Sequence, residues 1–343
     1  MPSLRGTDTL LNKTVDFLLQ AAHSPRTQSV YLSGWKAFRH FLVMSGHWDH
    51  RCDLPSVPID ENTLVDFVAY CFKIIHIRHA PIKLYLCGVK YFCIKRGIYH
   101  PLDGPSYSCC PRLQMVLRGV KKSQNNGPNT RLPITFDILA LMCALFHKGF
   151  FSLWVDVMLL AASSLAFFAL LRCGEFTVTA ATDMEYLRIS DFSIAGDNSN
   201  GTLVLRTSKS DPFRYGVQIR LFAVHNCTCP LRALQDYLEL RGRVGYLRPS
   251  DPLFTTDGIN PLSRSVFLEK LHLLLQVLGY PQYKFNGHSF RIGAATTAAN
   301  AGIEDHLIKT LGRWTSDSYL CYIRTSNDAI SHAQQAMCGS THS

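Results

Sequence analysis

The stretch from Leu153 to Leu171 runs for nineteen residues with a single charge, Asp156. As a helix it is long enough to cross a bilayer. Small residues break it at Ala161, Ala162, Ser163 and Ser164, and it leads directly into Leu-Arg-Cys-Gly-Glu. A helix that is apolar on every side is also what the centre of a large domain looks like, wrapped by other elements. The small residues and the charged continuation favour this second solution, with no membrane role. The rest of the chain must then supply amphipathic elements to cover the helix.

Those elements are legible on both sides. Helices fit Thr135 to Phe146 before the stretch, and 230–241, 262–278, 288–301, 304–310 and 316–323 after it. Between them, residues 187–194, 203–206 and 217–221 show the alternation of short strands and predict a small three-stranded antiparallel sheet. Upstream, Ser24-Pro25 is an N-cap followed by proline at the first helical position. Tyr31, Trp35, Phe38, Phe41 and Leu42 then recur at helical spacing. Further helices fit 61–75, 82–95 and 111–122. The polar run Ser123 to Thr130 contains Gly and Pro and reads as a linker. The expected organisation is a helical module over 1–122, a linker over 123–131 and a second module over 132–343. The fold class is mainly α with a small antiparallel β-sheet.

The chain has 343 residues, 47% of them apolar, and a formal charge of +10. Residues 1–131 hold 17 Lys and Arg against 8 Asp and Glu, while residues 132–343 hold 18 against 17. A basic module joined to a near-neutral one suits a polyanionic partner, because each neutralised phosphate releases a counterion. The 12 cysteines have no framework spacing and read as reduced intracellular thiols. Neither Cys227 with Cys229 nor Cys109 with Cys110 has the spacing of a common zinc site. Met1 to Leu11 is polar and lacks the apolar run of a signal peptide.

Four short segments carry candidate chemistry. Arg172 follows the apolar helix in Leu-Leu-Arg172-Cys-Gly-Glu175-Phe. Lys209 sits in Thr-Ser-Lys209-Ser between two expected strands, where a lone lysine is ordinarily just solvated. In Gly287-His288-Ser289-Phe290-Arg291, His288 and Arg291 share a face at the start of a helix, the end that favours anions. The run Leu311-Gly312-Arg313-Trp314 precedes Tyr319 and Tyr322, which lie three apart on one short expected helix. Taken singly, each has a plain structural reading, such as a core tyrosine with a satisfied hydroxyl.

In order, these segments form one pattern: an Arg after a long helix, a Lys between strands, His-x-x-Arg, a His or Trp, then a Tyr. The chain resembles the tyrosine recombinase (phage integrase) family over nearly its whole length. His288-Ser-Phe-Arg291, Leu311-Gly-Arg-Trp314 and Tyr322-Ile-Arg324 resemble eukaryotic mobile-element recombinases of the Crypton and DIRS groups. The resemblance implies a helical core-binding domain and a mixed α/β catalytic domain. It implies a recombinase or integrase that breaks and rejoins double-stranded DNA through a covalent 3′-phosphotyrosine, without metal, nucleotide or other cofactor. Four protomers would act on two DNA sites, inside the nucleus.

The resemblance also assigns roles. Arg172 and Arg291 would clamp the scissile phosphate, His288 would support it or shuttle a proton, and Lys209 would protonate the leaving 5′-hydroxyl. Trp314 takes a place where many members have His, and Glu175 would support the first arginine. Tyr322 would attack. It lies eight positions after Trp314 where the family more often shows nine, so Tyr319 stays open as the nucleophile. Lys36, Arg39, Arg118, Lys121 and Lys122 of the basic module would contact DNA.

The residue types suit this chemistry. Arginines present planar forks matched to phosphate oxygens and stabilise the extra charge of a pentacoordinate transition state. A tyrosine, with an ordinary pKa of about 10, needs that positive surround. Two other readings remain open at this point: a domesticated, non-catalytic DNA-binding protein derived from such a recombinase, and a type IB topoisomerase with the same catalytic logic. Finally, Ala329, Ile330, Ala333 and Ala336 recur at helical spacing in residues 325–343. That piece is too short to stay folded alone, and would either fray or dock on a neighbouring protomer.

Overall fold

In the computed structural model the described residues are 5–98, 110–124, 131–180, 183, 185–206, 215–325 and 327–339. They fall into two compact units, 1–128 and 129–343.

The N-terminal unit opens with α1 (Arg5–Ala21), a helix not anticipated from the sequence. Its Leu10, Leu11, Val15, Phe17 and Leu18 are exposed. It is tied on by Asp16, which pairs with Lys95 at 3.5 Å, and by the Tyr91 hydroxyl, which donates to the Leu19 carbonyl at 3.3 Å. Next, α2 (Pro25–Met44) starts as its cap predicts, with Ser24 Oγ accepting from the Thr27 N–H at 3.3 Å. Asp60 caps α3 (Glu61–Lys73) in the same way at 2.8 Å. The remaining helices are α4 (His79–Lys95) and α5 (Pro111–Ser123), with a short strand pair, β1 (Trp48–Asp49) and β2 (Leu54–Pro55), beside α2. Trp35, Phe38, Phe67 and Leu86 lie in the core.

Two glycines set the crossing of α2 and α4. A Cβ on Gly34 would fall 2.6 Å from the Tyr85 Cα, and one on Gly88 would fall 2.5 Å from the Tyr31 carbonyl oxygen. Each helix thus lays a glycine against the other's backbone, and neither backbone can yield without moving the whole helix.

In the C-terminal unit, α7 (Leu153–Phe168) is the central helix. Every residue from Met158 to Phe167 is buried. It is wrapped by α6 (Phe136–His147), α9 (Pro230–Arg243) and α11 (Ser289–Asn300). Its one charge, Asp156, is buried yet satisfied: both carboxylate oxygens accept from the Phe151 N–H, at 3.1 and 3.0 Å. Desolvation pushes this carboxyl's pKa up. Among the described residues no helix is long and apolar enough to cross a membrane.

The sheet has the order β3 (Phe192–Ile194), β4 (Asn200–Leu205), β5 (Val217–Phe222), antiparallel throughout, with Leu203 facing Phe192 on one side and Ile219 on the other. The extended residues 131–135 lie along α11. The Ile134 N–H donates to the Ser289 carbonyl at 2.9 Å, and a Cβ on Gly293 would overlap the Ile134 carbonyl. The unit is completed by α8 (Cys173–Phe176), α10 (Arg264–Val277), α12 (Asp305–Leu311) and α13 (Asn327–Gly339).

Two elements differ from the sequence reading. The strand expected over 187–194 begins only at Phe192, after a 3₁₀ turn over Ile189–Asp191. Asp191 causes this, because its Oδ2 accepts from the Arg188 N–H at 2.9 Å and so offers the backbone a local alternative to the ladder. Leu187 and Ile189 instead exchange hydrogen bonds with 251–253. The helix expected over 316–323 is a 3₁₀ helix, Asp317–Cys321, with Ser316 capping the Ser318 N–H. Tyr322 follows it as the C-terminal cap residue.

Alanine at Gly88 should destabilise the N-terminal unit. Its better helix propensity, about 1 kcal/mol, works against an overpacking cost of about 1–3 kcal/mol. Urea unfolding of Gly88→Ala should therefore show a net loss, and a gain in stability would show that the crossing can relax.

Candidate active site

The site is built around a turn. After α7, Leu170 adopts a left-handed conformation with φ 46°, which for a residue with a Cβ costs about 1–2 kcal/mol. The turn leaves carbonyls without helical partners, and two arginines supply the donors. Arg291, on α11, donates through Nη1 to the Leu170 carbonyl and through Nη2 to the Gly312 carbonyl. Arg313 donates to the Ala169 carbonyl at 2.8 Å and to that of Leu170 at 3.4 Å. Arg313 is itself left-handed, with φ 56°. The turn also aims Arg172, the N-cap residue of α8.

Glu175 joins the cations. Its Oε1 accepts from Arg172 Nη1 at 2.8 Å, and its Oε2 accepts from Arg313 Nη2 and from the Arg172 N–H, each at 2.9 Å. The Glu175 side chain is only 5% exposed, Arg313 10% and Arg172 18%, while Arg291 is fully buried. Two guanidinium groups thus bind one carboxylate, and the third, Arg291, lies close enough to feel their charge. Burial, then the charges of Arg172 and Arg313, push the Arg291 guanidinium down to about 9, which leaves it protonated at neutral pH. Burial lowers Arg313 as well, opposed by Glu175. The Nε atoms of Arg291 and Arg313 are buried with no partner among the described residues.

Trp314 covers the cluster. Its ring centroid lies 4.2 Å from Arg291 Cζ, within cation–π range. Gly312 permits this, since a Cβ there would overlap the indole. Tyr322 packs against both Trp314 and Arg291, with its ring centroid 5.3 Å from that of Trp314 and 5.9 Å from Arg291 Cζ. The Tyr322 carbonyl accepts from Thr296 Oγ1 at 3.2 Å, fixing the end of the 3₁₀ helix to α11. Tyr319 is buried, and desolvation together with the Asp305 and Asp317 carboxylates pushes its pKa up.

Of the residues expected from sequence, Arg172, Glu175, Arg291, Trp314 and Tyr322 come together. His288 precedes α11 as its N-cap residue and is exposed, with its N–H donating to Asn286 Oδ1 at 2.9 Å. It does not share a solvent-facing surface with Arg291, which turns inward to the two carbonyls. Gly287 before it packs on Cys173, where a Cβ would come within 2.5 Å of the cysteine Cβ. Lys209 lies outside the described residues, as does Cys109. Among the described residues, no three His, Cys, Asp or Glu side chains are grouped to hold a metal.

Arg313 belongs to the cluster as well, although the resemblance assigned it no role beyond its place in Leu311-Gly312-Arg313-Trp314. In the N-terminal unit, Lys36, Arg118, Lys121 and Lys122 are exposed. Arg39 is exposed too but pairs with Asp53 at 2.9 Å and lies over Trp48. Lys83, also missed, joins this set: Lys83 and Lys121 both act on His79, whose pKa is lowered first by desolvation and then by these two charges.

No protein-family model matches the chain, and no curated protein sequence matches it. Solved structures do match. XerH site-specific recombinase, bound to a palindromic difH substrate in a post-cleavage complex, has a TM-score of 0.56 at 15% identity, over 90% of this chain and 78% of that one. The Tn1549 transposon integrase in complex with transposon right end DNA scores 0.52 at 13% identity, over 91% and 99%. A lambda integrase dimer bound to a COC′ core site scores 0.52 at 14% identity, over 93% and 96%. The chain has the tyrosine recombinase fold. In this version of that fold the arginine cluster is closed off by Trp314 and cross-linked through Glu175.

Glu175→Gln keeps the shape but removes the carboxylate bound to Arg172 and Arg313. Breaking a buried pair by removing one partner costs about 3–5 kcal/mol, and the partial exposure of Arg172 favours the lower end. A loss below about 1 kcal/mol in urea unfolding, the scale of a surface pair, would show that the cluster does not depend on this charge.

Proposed function

We propose that the chain is a DNA recombinase that cuts and rejoins strands through Tyr322. The observation that carries this reading is the position of the Tyr322 ring beside Trp314 and 5.9 Å from the Arg291 guanidinium, in a chain with the tyrosine recombinase fold. Attack by the Tyr322 oxygen on the scissile phosphorus would form a 3′-phosphotyrosine and release the 5′-oxygen. Arg172 and Arg291 would stabilise the charge gathering on the phosphoryl oxygens. Lys209 or His288 would protonate the leaving oxygen. The buried Tyr319, beside carboxylates that oppose its ionisation, is the weaker nucleophile. The motif's likeness to Crypton and DIRS recombinases supports a mobile-element origin and a nuclear site of action.

The basic unit, residues 1–122, would supply affinity as the core-binding domain, through phosphate contacts from Lys36, Lys83, Arg118, Lys121 and Lys122. Arg39 would have to leave Asp53 to join them. One observation favours a second reading. Arg291 is sealed under Trp314, with both terminal nitrogens held by carbonyls. A protein that binds DNA without cutting it could keep that arrangement permanently. A cutting enzyme must swing the Trp314 ring off Arg291 and free its guanidinium for the phosphate.

An assay on nicked duplex from the element's own termini separates the two. In EDTA and without ATP, wild-type protein should form a covalent adduct. Tyr322→Phe should abolish the adduct and leave DNA binding intact. An adduct lost in Tyr319→Phe but kept in Tyr322→Phe would move the nucleophile, and binding without any adduct would support the non-cutting reading.

The assembly would be four protomers on two sites. The exposed Ile330 and Met337 of α13 suit docking on a neighbouring protomer. Truncation after Thr325 should keep binding to one site and lose the paired-site complex, as read by gel shift. Normal recombination by the truncated chain would remove α13 from the assembly.

A further inference from the structure

We propose that Arg313 is the positioning residue for Arg172, acting from behind it through Glu175 and the Ala169–Leu170 turn. This rests on the recombinase reading above, in which Arg172 binds phosphate. Arg172 is the most exposed of the three clustered arginines, and Arg313 lies deeper. The two occupy opposite oxygens of one nearly buried carboxylate, at 2.8 and 2.9 Å.

A carboxylate beside a phosphate-binding arginine competes with the phosphate for it. With Arg313 in place, the Glu175 charge is shared, and the cluster keeps a surplus of positive charge. Without Arg313 the carboxylate would act more strongly on Arg172 and draw it inward. Arg313 also holds the backbone from which Arg172 projects, through the Ala169 and Leu170 carbonyls. Both ends of this contact are left-handed residues, Leu170 and Arg313, so the guanidinium stabilises a turn that would otherwise relax. A guanidinium suits these duties better than an ammonium, since they require donors aimed at several acceptors at once.

Arg313 also lines a cavity of about 470 Å³ with Val217, His306, Lys309 and Thr310. That space admits a small cation from solvent, which makes chemical rescue possible. Arg313→Gly suits the test because glycine accepts the positive φ without strain. On the full chain, single-turnover adduct formation by Arg313→Gly should fall about 10²-fold, the scale of a misplaced reacting group. DNA affinity should hold, and added methylguanidinium should restore part of the rate. Arg313→Lys, which keeps charge but not the fork, should remain slow.

An Arg313→Gly protein that cleaves at the wild-type rate overturns the proposal. So does a parallel loss of DNA affinity, rate and melting temperature with no rescue, which marks a purely structural residue. A second measurement needs no cleavage: the ¹⁵N guanidinium signals of Arg172 in DNA-free protein. Hindered rotation about its Cζ–N bonds should be visible in wild type and lost in Arg313→Lys. Unchanged Arg172 signals overturn the proposal whatever the activity. If wild type forms no adduct, the recombinase reading fails by itself, and the Arg172 signals still decide the role of Arg313.

Discussion

The Leu170 carbonyl accepts from both Arg291 and Arg313, and the architecture of the site depends on that shared acceptor. A central helix buried on all sides must end somewhere inside the domain, where its last carbonyls have no water. Here the chain turns sharply through a left-handed leucine, and guanidinium groups from two distant segments meet those carbonyls. An unmet buried group of this kind costs about 1–3 kcal/mol. The need to cap one helix therefore brings α11 and the Gly312–Trp314 turn against the end of α7. Arg172, Glu175 and Tyr322 are placed by the same contacts.

This solution creates an electrostatic excess. Two of three neighbouring guanidinium groups share one carboxylate, and the downward push on Arg291 reflects burial first and then the like charges of Arg172 and Arg313. Such a cluster is incomplete as an ion pair network but well matched to an added anion. On the proposed reading a phosphodiester would bring the missing negative charge to Arg172 and Arg291. Until then Trp314 offers Arg291 a ring face in place of oxygens. The cation–π contact is weaker than a charge-assisted hydrogen bond, so on that reading phosphate would displace the indole.

The sequence was informative wherever a single local rule dominates. Ser24-Pro25 and the apolar spacing after it mark α2, and the run read as a strand over 203–206 marks β4, which starts three residues earlier, at Asn200, because capping and pleating act within a few residues. The buried character of α7 was readable from its small residues. The resemblance singled out Arg172, Glu175, Arg291, Trp314 and Tyr322, and the structure brings these five together. What could not be read was direction. Spacing puts His288 and Arg291 on one turn, but only the carbonyls of Leu170 and Gly312, 121 and 21 residues from Arg291, decide that Arg291 points inward. Arg313 was hidden for the same reason: its partners lie 138 to 144 residues away. The 3₁₀ turn at 189–191 escaped because Asp191 competes with the ladder through its side chain, an effect that alternation does not report. The helix α1 begins on polar residues and leaves its apolar side chains Leu10, Leu11, Val15, Phe17 and Leu18 exposed, so burial gives it no sequence signature.

The division of charge along the chain acquires a physical sense from this site. The C-terminal unit is close to neutral overall, and three of its arginines, Arg172, Arg291 and Arg313, are held largely out of solvent at one point. The N-terminal unit carries the excess on exposed helices, where Lys83 and Lys121 lie near enough to shift the same histidine. Exposed lysines act over a Debye length of about 8–10 Å and are weakened by salt, which suits holding a polyanion without regard to exact position. Buried arginines are screened far less and are fixed in direction by carbonyls and a carboxylate. On the proposed reading, loose electrostatics retain the DNA and preorganised electrostatics act on one phosphate. Merging the two would fail on physical grounds: a surface cluster would lose its orientation to water, and a buried module with the N-terminal unit's charge excess would not fold.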